Sequence, residues 1–536
     1  MVENYLKEFE KLNEYQKKAV MCDDKYALLN AVVGSGKTTV LIHKVMYLHI
    51  IKKIPLEDIM VFTFTNKAAD EIIDRVLSLS SGLKERIKYF GTFHSVAKTI
   101  LNESQNLENL GYKRDFEIID NSRAADMLNN ILEGNKLNIK YKNRLSKRID
   151  EFKKGKSLFG IMKKDDDIEK LYRLYNEEKI KNNFMDFDDI IDNCIKVLDK
   201  PLNPSYIIID EFQDTDLRQF ELIRRIAGDR SHIFAIGDEN QIIYSFRTGN
   251  DKIFDKFKSL YNPKEFSLPI NYRSSRTIIE AAKSFLNRGS IESIKDYGNP
   301  IIVRKHLDSF NEALYVVRRI KELNSKGVSF KDIAVLYRRT AQAEVLYEVF
   351  KRENIPLKIV FKGETIFECS EEERDTGLSV NLMTLHASKG LEFSHVFIVG
   401  ANMGNIPISS KRGEEEEELR LFFVGITRAK NYLEISYVIK PNLQGVLPYQ
   451  SPYISMIPSN LIKREEESRE NSLSNLYRQL RDEKEKKELN NKVKKALHAK
   501  YGEGIVIYED ENIIKVNFEG YGEKEFSKLF CPLEFK

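Results

Sequence analysis

Tryptophan is absent from the 536 residues, and cysteine is nearly so. Cys22, Cys194, Cys369 and Cys531 are scattered, with no CxxC and no Cys/His cluster. That spacing argues against a disulfide framework or a structural zinc and predicts free thiols in a reducing compartment. Long apolar runs are missing too. None reaches about 18 residues, and the opening MVENYLKEFEKLN is polar, without the apolar stretch of a signal peptide. The expectation is a cytoplasmic protein. Net charge is only +4, so any polyanion partner must be met by a local basic stripe rather than by the sum. What is present is 42% apolar and 31% charged residues, enough for real cores under a soluble surface. The length predicts about three or four domains. No fixed-period repeat is visible.

Short apolar runs capped by Gly, Asp or Thr recur at 26–30, 59–65, 206–210, 232–238, 332–337, 380–386, 396–400 and 432–436. Apolar runs of this length suit strands buried on both faces. Longer amphipathic patterns between them read as helices, and the alternation predicts parallel sheets of the α/β class. The runs fall into two groups, before about 240 and after about 330, which predicts two sheets. Residues 101–196 are charged and helical in pattern, an insertion in the first α/β domain. Residues 461–490 read as a charged helical or flexible linker, and the alternating stretch after it as a small all-β module.

Two stretches carry chemistry. An apolar run, then AVVGSGKTT (31–39), then a helical pattern is the context of a P-loop. Backbone N–H groups of Gly34, Ser35 and Gly36 can wrap phosphates at a helix N-terminus. Lys37 reaches the β/γ-phosphates and Thr38 ligates Mg²⁺ in such a loop, with Thr39 beside them. The position where the general pattern opens with Gly holds Ala31. The second stretch, YIIIDEFQDTD, ends an apolar strand in Asp210 and Glu211. Asp210 suits a Walker-B role toward Mg²⁺, and Glu211 suits polarisation of an attacking water. Taken alone, the pair reads equally well as a solvated strand end.

Together with LNEYQKKAV, VFTFTNKAADEI, FGTFHS, DFDDII, IFAIGDENQIIYSFR, LPINYRSS, VNLMTLHASKGLEF and LRLFFVGITRAK, these stretches follow one another from residue 12 to about 436. In that order the chain resembles the UvrD/Rep/PcrA family of superfamily 1 DNA helicases. The resemblance implies two RecA-like domains and an enzyme, an ATP-dependent helicase or translocase moving 3′ to 5′ on single-stranded DNA in repair or replication. Its ATP site would use Gln16 on the adenine edge, Tyr272 on the base face, Gln241 as γ-phosphate sensor and Glu392 near the ribose. Arg273 and Arg428 would act as arginine fingers supplied in cis. Relatives commonly carry Arg where Thr39 stands, so one adenine face would be open.

For the DNA track, sequence-tolerant grip needs stacking faces and backbone donors. The resemblance assigns this to Phe64, Asn66, Thr92, His94, Phe187, Tyr244, Phe246, Arg247, His386 and Lys389. Relatives often have Trp in place of Phe246, so the stacking face there is smaller. Phe64 or Phe187 alone would read as core packing.

The implied boundaries are 1–100 with 197–275 for domain 1A, 101–196 for the insertion 1B and 276–458 for domain 2A. A linker at 459–490 and a Tudor-like module at 491–536 complete the chain. Relatives insert a helical 2B subdomain in 2A; here a short link at 369–379 stands in its place. The Tudor-like module implies RNA polymerase as a partner, or equally a plain β scaffold. Partners implied for the whole are single-stranded DNA and 3′-tailed duplex DNA, with no membrane. A competing reading is a DNA-sensing accessory ATPase that serves RNA polymerase or an antiphage nuclease and unwinds little alone.

Overall fold

The apolar runs become strands of two sheets. The computed structural model describes residues 2–80, 87–139, 145, 149, 152, 167–243, 252–286, 290–361, 364–368, 378–408, 415–466, 495–498, 500–509, 513–518, 520–527 and 533–535. Its contacts divide the chain into two units, Met1–Arg464 and Glu465–Lys536. Among the described residues no helix is long and apolar enough to cross a membrane.

β1 (Tyr26–Ala31), β2 (Ile59–Thr63) and β3 (Phe90–Thr92) precede the helical insertion, β4 (Glu117–Ile118) and β5 (Phe184–Met185) lie within it, and β6 (Tyr206–Ile209), β7 (His232–Gly237) and β8 (Lys264–Leu268) follow it. The first sheet has the order β3–β2–β6–β7–β1–β8, every pair parallel. Its central strands β2, β6 and β7 are apolar along nearly their whole length because alternate residues feed different cores. Ile207 and Ile209 pack with Phe62 on one face, while Ile208 packs with Val61 and Phe234 on the other. The insertion is helical as expected, over Asn121–Gly134 and Ile168–Lys181, with its own core around Leu132, Leu171 and Tyr175. Its two short strands β4 and β5 escaped the pattern because two residues carry no period.

β9 (Ile270–Asn271) and β10 (Glu292–Ser293) pair along the passage out of the first sheet. The second sheet then uses β11 (Ile301–Asp308), β12 (Ile333–Tyr337), β13 (Leu357–Phe361), β14 (Glu364–Glu368), β15 (Val380–Thr384), β16 (Phe393–Ile398), β17 (Ala429–Lys440) and β18 (Ile462–Glu466). Its order is β14–β13–β15–β12–β16–β17–β11–β18, parallel from β13 to β11, with β14 antiparallel on β13. Alternation again splits the strands between two cores: Leu336 and Ile398 on one side, Val335 and Phe397 on the other. The start of the expected charged linker is corrected here: Ile462–Glu466 is a strand at the outer edge of this sheet. A strand needs only backbone partners, so its charged side chains point to water without penalty. The rest of that linker, and most of the 369–379 link, lie outside the described residues.

The second unit is a five-stranded antiparallel sheet, β19 (Lys495–His498), β20 (Gly502–Glu509), β21 (Ile513–Phe518), β22 (Gly522–Ser527) and β23 (Leu533–Phe535), in the order β22–β21–β20–β19–β23. Ala496, Ile514, Val516 and Phe518 form its small core.

Candidate nucleotide cleft and strand-facing edge

Because the first sheet is all parallel, every strand delivers its following loop to one edge, the edge where open α/β sheets bind ligands. β1 delivers the glycine loop, which turns into the helix Lys37–Met46. Gly34 (φ 66°) and Gly36 (φ 85°) adopt the left-handed conformation that suits glycine. Close approach constrains Gly34 further: a Cβ there would fall 2.6 Å from Asn271 Nδ2 and 2.8 Å from Arg273 Cβ. Gln16 is buried behind the loop. Its Nε2 donates to the Ser35 carbonyl (3.0 Å), and its Oε1 accepts from Asn13 N–H in a capping box. Tyr272 lies on the same side, its N–H donating to the Gly34 carbonyl and its hydroxyl accepting from Asn13 Nδ2. The ring stays 38% exposed, open to stack. Thr39 is half-buried on the loop helix.

β6 delivers the acids. Asp210 is buried, and among the described residues its Oδ1 has no hydrogen-bond partner. Glu211 sits in the left-handed region (φ 48°), an uncommon conformation for a side chain with a Cβ. There its Oε2 meets Lys37 Nζ at 3.1 Å and also accepts from Gln213 Nε2. Burial and the adjoining Glu211 raise the Asp210 carboxyl. Burial would raise Glu211 as well, but the ammonium groups of Lys37 and Lys389 hold it below the usual carboxylate range. Burial works against the Lys37 charge, yet Glu211, Asp238 and Asp210 outweigh it and raise its pKa. Lys37 and Glu211 therefore hold their charges as a pair, beside an Asp210 carboxyl pushed up to about 7.

β7 ends in Gly237, and Asp238 follows. Its carboxylate accepts from Gln241 Nε2 at 2.7 Å, and its backbone N–H donates to Gln213. The Gln241 side-chain oxygen faces Arg428 Nη2 at 3.4 Å, a reach from the first lobe to the second. Arg428 is 1% exposed. Its other donors go to the carbonyls of Val424 and Leu391. Burial and the Arg273 charge push it down to about 9, so it remains a cation at neutral pH. Arg273 Nε lies 2.6 Å from Glu392 Oε2, an ion pair without hydrogen-bond alignment, and its buried Nη1 has no hydrogen-bond partner among the described residues. Glu392 also pairs with Lys430 at 2.7 Å.

The seam thus gathers Gln16, Lys37, Asp210, Glu211, Gln241, Tyr272, Arg273, Glu392 and Arg428. Asp210 Oδ1, Ser35 Oγ and Arg273 Nη1 are buried without hydrogen-bond partners among the described residues, and native structures rarely leave such atoms unmet. An arginine donor and a carboxylate left open in one cleft fit a triphosphate with its divalent cation. The Lys389 side chain is 8% exposed, paired with Asp214 at 2.7 Å and donating to the Gln241 carbonyl at 2.8 Å. This pairing ties Lys389 to the first lobe across the seam. Asp214, Asp238 and Lys430 were not expected. Asp238 carried the same signal as Asp210, an acid just past an apolar run.

β2 and β3 deliver the neighbouring part of the edge. Their pairing sets Thr63 beside Thr92, so Phe64 and Asn66 follow one strand end, and Thr92 and His94 the other. Phe64 is exposed, and so is Phe187 at 49%. Thr92 caps the helix Phe93–Glu103, whose His94 ring meets Phe187 edge-on at 5.7 Å. Burial pushes the His94 imidazole below its ordinary value, so it is a neutral ring at pH 7. His386 is half-buried in the loop after β15, on the second lobe. Tyr244, Phe246 and Arg247 lie outside the described residues.

Two parallel sheets, with a glycine loop and paired acids on one facing arginines at the other, define a two-lobed P-loop nucleotide-binding protein. Comparison with known proteins narrows this. The UvrD/REP helicase N-terminal domain matches residues 12–262, and the UvrD-like helicase C-terminal domain matches 266–371 and 365–440. A "Probable DNA helicase" of Mycoplasma pneumoniae is 29% identical over 486 residues, covering 83% of this chain and 86% of its own. "ATP-dependent DNA helicase PcrA" of Staphylococcus epidermidis is 29% identical, and that of Staphylococcus aureus 30%, each over 388 residues. Those matches cover 67% of this chain and 52% of theirs, so the chain spans about half the length of the PcrA relatives. The chain belongs to the UvrD/REP family of ATP-dependent DNA helicases.

Proposed function

We propose that the chain hydrolyses ATP between its two lobes and uses the cycle to move 3′ to 5′ along single-stranded DNA, opening 3′-tailed duplex. The observation that carries this is the 3.4 Å approach of Gln241 on the first lobe to buried Arg428 on the second. A nucleotide at that seam touches both lobes, so its presence and loss can bias their separation. Gln16 and Tyr272 hold the base, and the glycine loop with Lys37 the phosphates. Glu211 accepts a proton from the water that attacks the γ-phosphorus, and the bond to the β–γ bridging oxygen breaks to release ADP and phosphate. Arg273 and Arg428 stabilise the charge that develops. Thr38 and Asp210 are the groups that would hold Mg²⁺, which supplies further charge neutralisation when bound. Phe64, His94 and Phe187 form the described part of the stacking surface, with Asn66 and Thr92 on the same lobe and His386 contributed by the second lobe.

Two features of this reading concern the outline of the chain. The C-terminal family model matches in two stretches that meet at 365–371, where relatives carry 2B; we read this as loss of that subdomain. The antiparallel sheet β19–β23 fits a Tudor-like module on its topology alone. A chain without 2B also suits the second reading, a DNA-sensing ATPase whose unwinding depends on a partner.

The test is ATP turnover with and without single-stranded DNA, followed by strand displacement on a 3′-tailed duplex. Stimulation with displacement is expected. Stimulation without displacement selects the second reading, and no response to any nucleic acid would refute both.

A further inference from the structure

A fully buried asparagine joins the glycine loop to the arm that carries Tyr272 and Arg273. Asn271, at the end of β9, is 0% exposed and makes three hydrogen bonds. Its Nδ2 donates to the Val33 carbonyl in the glycine loop at 2.7 Å. Its Oδ1 accepts the N–H groups of Arg273 (2.9 Å) and Ser274 (2.8 Å). One amide therefore holds the loop on one side and turns the following backbone on the other. Its neighbours make the joint rigid. Tyr272 N–H donates to the Gly34 carbonyl, and the space above Gly34 that a Cβ would fill is taken by Asn271 Nδ2. Beyond it, Ser274 Oγ donates to the Ala429 carbonyl at 2.6 Å and Ser275 N–H to Lys430, the residues directly after Arg428.

We propose that Asn271 is a positioning residue that pins the arm carrying Tyr272 and Arg273 onto the phosphate loop, so that base stacking and γ-phosphate contact are set together with the seam to the second lobe. The inference rests on the reading that ATP binds at this seam and deepens it. The chemistry singles out an amide. The site needs one donor and one oxygen accepting twice, and asparagine has both on one short side chain. Aspartate keeps the acceptor but sets a negative charge against the Val33 carbonyl. Alanine loses everything and leaves two backbone N–H groups buried and unmet.

The experiment is a double-mutant cycle in the full chain, Asn271→Ala with Arg273→Ala, read as kcat and KM for ATP in the presence of single-stranded DNA. Thermal melting confirms that each variant is folded. Asn271→Ala is expected to lower kcat about tenfold and raise KM about tenfold, and the double variant to lose little more kcat than Arg273→Ala alone, because the arginine is already misplaced. Asn271→Asp, closest in volume, is the second variant in case alanine fails to fold. It should reproduce the kcat loss and the coupling. Fully additive losses in the cycle, or an aspartate variant within twofold of wild type, would overturn the pin while leaving the ATP site intact. No turnover in the wild-type chain would overturn the parent reading, and the pin with it.

Discussion

The seam between the lobes and the neighbouring strand-facing edge solve opposite problems with the same sheet. At the seam, buried and part-buried charges are met over long separations: Lys37 by Glu211, Asp214 by Lys389, and Arg428 by the neutral Gln241 amide. At the edge of β2 and β3 the groups are rings, Phe64 and Phe187 half open to water, and the nearest imidazole is neutral. Buried matched charge recognises one polyanion in one geometry, and loses much when one partner is removed. Open rings accept any base and lose only stacking area. The two regions differ in residue type and in burial together: paired charge largely closed from water at one, rings open to water at the other.

That contrast can be broken or sharpened by substitution. The largest effect belongs to the acid at the seam: Glu211→Gln should lower turnover by about 10⁴-fold while nucleotide still binds, as single-turnover assays and equilibrium binding would report. Turnover near wild type would remove Glu211 from the reaction. Next, Arg428→Ala should lower kcat by about 10³-fold, with a much smaller change in KM, if its charge acts mainly on the transition state. A raised KM with kcat unchanged would make it a ground-state contact. At the edge, Phe187→Ala should weaken single-strand binding by only about 1–3 kcal/mol, seen as a higher DNA concentration for half-maximal stimulation. A loss on the scale of the seam variants would erase the distinction between the two regions.

The smallest effect tests buried charge behind the seam. Lys44, on the loop helix, donates to the carbonyls of Val20 and Cys22. Tyr47, Tyr206 and Phe234 face it with their rings, and Cys22, Asp23, Asp24 and Lys52 with their charges. Burial pushes it down to about 8. Between pH 8 and its unfolded value the unfolded chain binds more protons, so this group makes stability rise with pH over that window and costs most below it. Denaturant unfolding of wild type and Lys44→Met at pH 7.5 and 9.5 should therefore differ in slope by about 1–2 kcal/mol. Parallel pH profiles would show that Lys44 is not the titrating group.

Much of the fold was legible because parallel strands buried on both faces leave continuous apolar runs, as at 206–209 and 333–337. Strands with exposed or mixed faces were not: β8 is mostly exposed and β18 is charged. The glycine loop and Asp210–Glu211 were readable because local order along the chain carries their geometry. The pairing of Lys389 was not foreseen, and Asn271 and Asp238 went unassigned, because their surroundings depend on partners far along the chain. Lys389 meets Asp214 across 175 positions, and Asn271 meets Val33 across 238. Sequence spacing does not report such distances; burial and pairing do.

The most direct measurement is a crystal structure of the full chain with a non-hydrolysable ATP analogue, Mg²⁺ and single-stranded DNA. The account predicts the γ-phosphate between Lys37 on one side and Arg273 and Arg428 on the other, with the base against Tyr272. Nucleotide bound elsewhere, or at the glycine loop with Arg273 and Arg428 both turned away from it, would contradict the account.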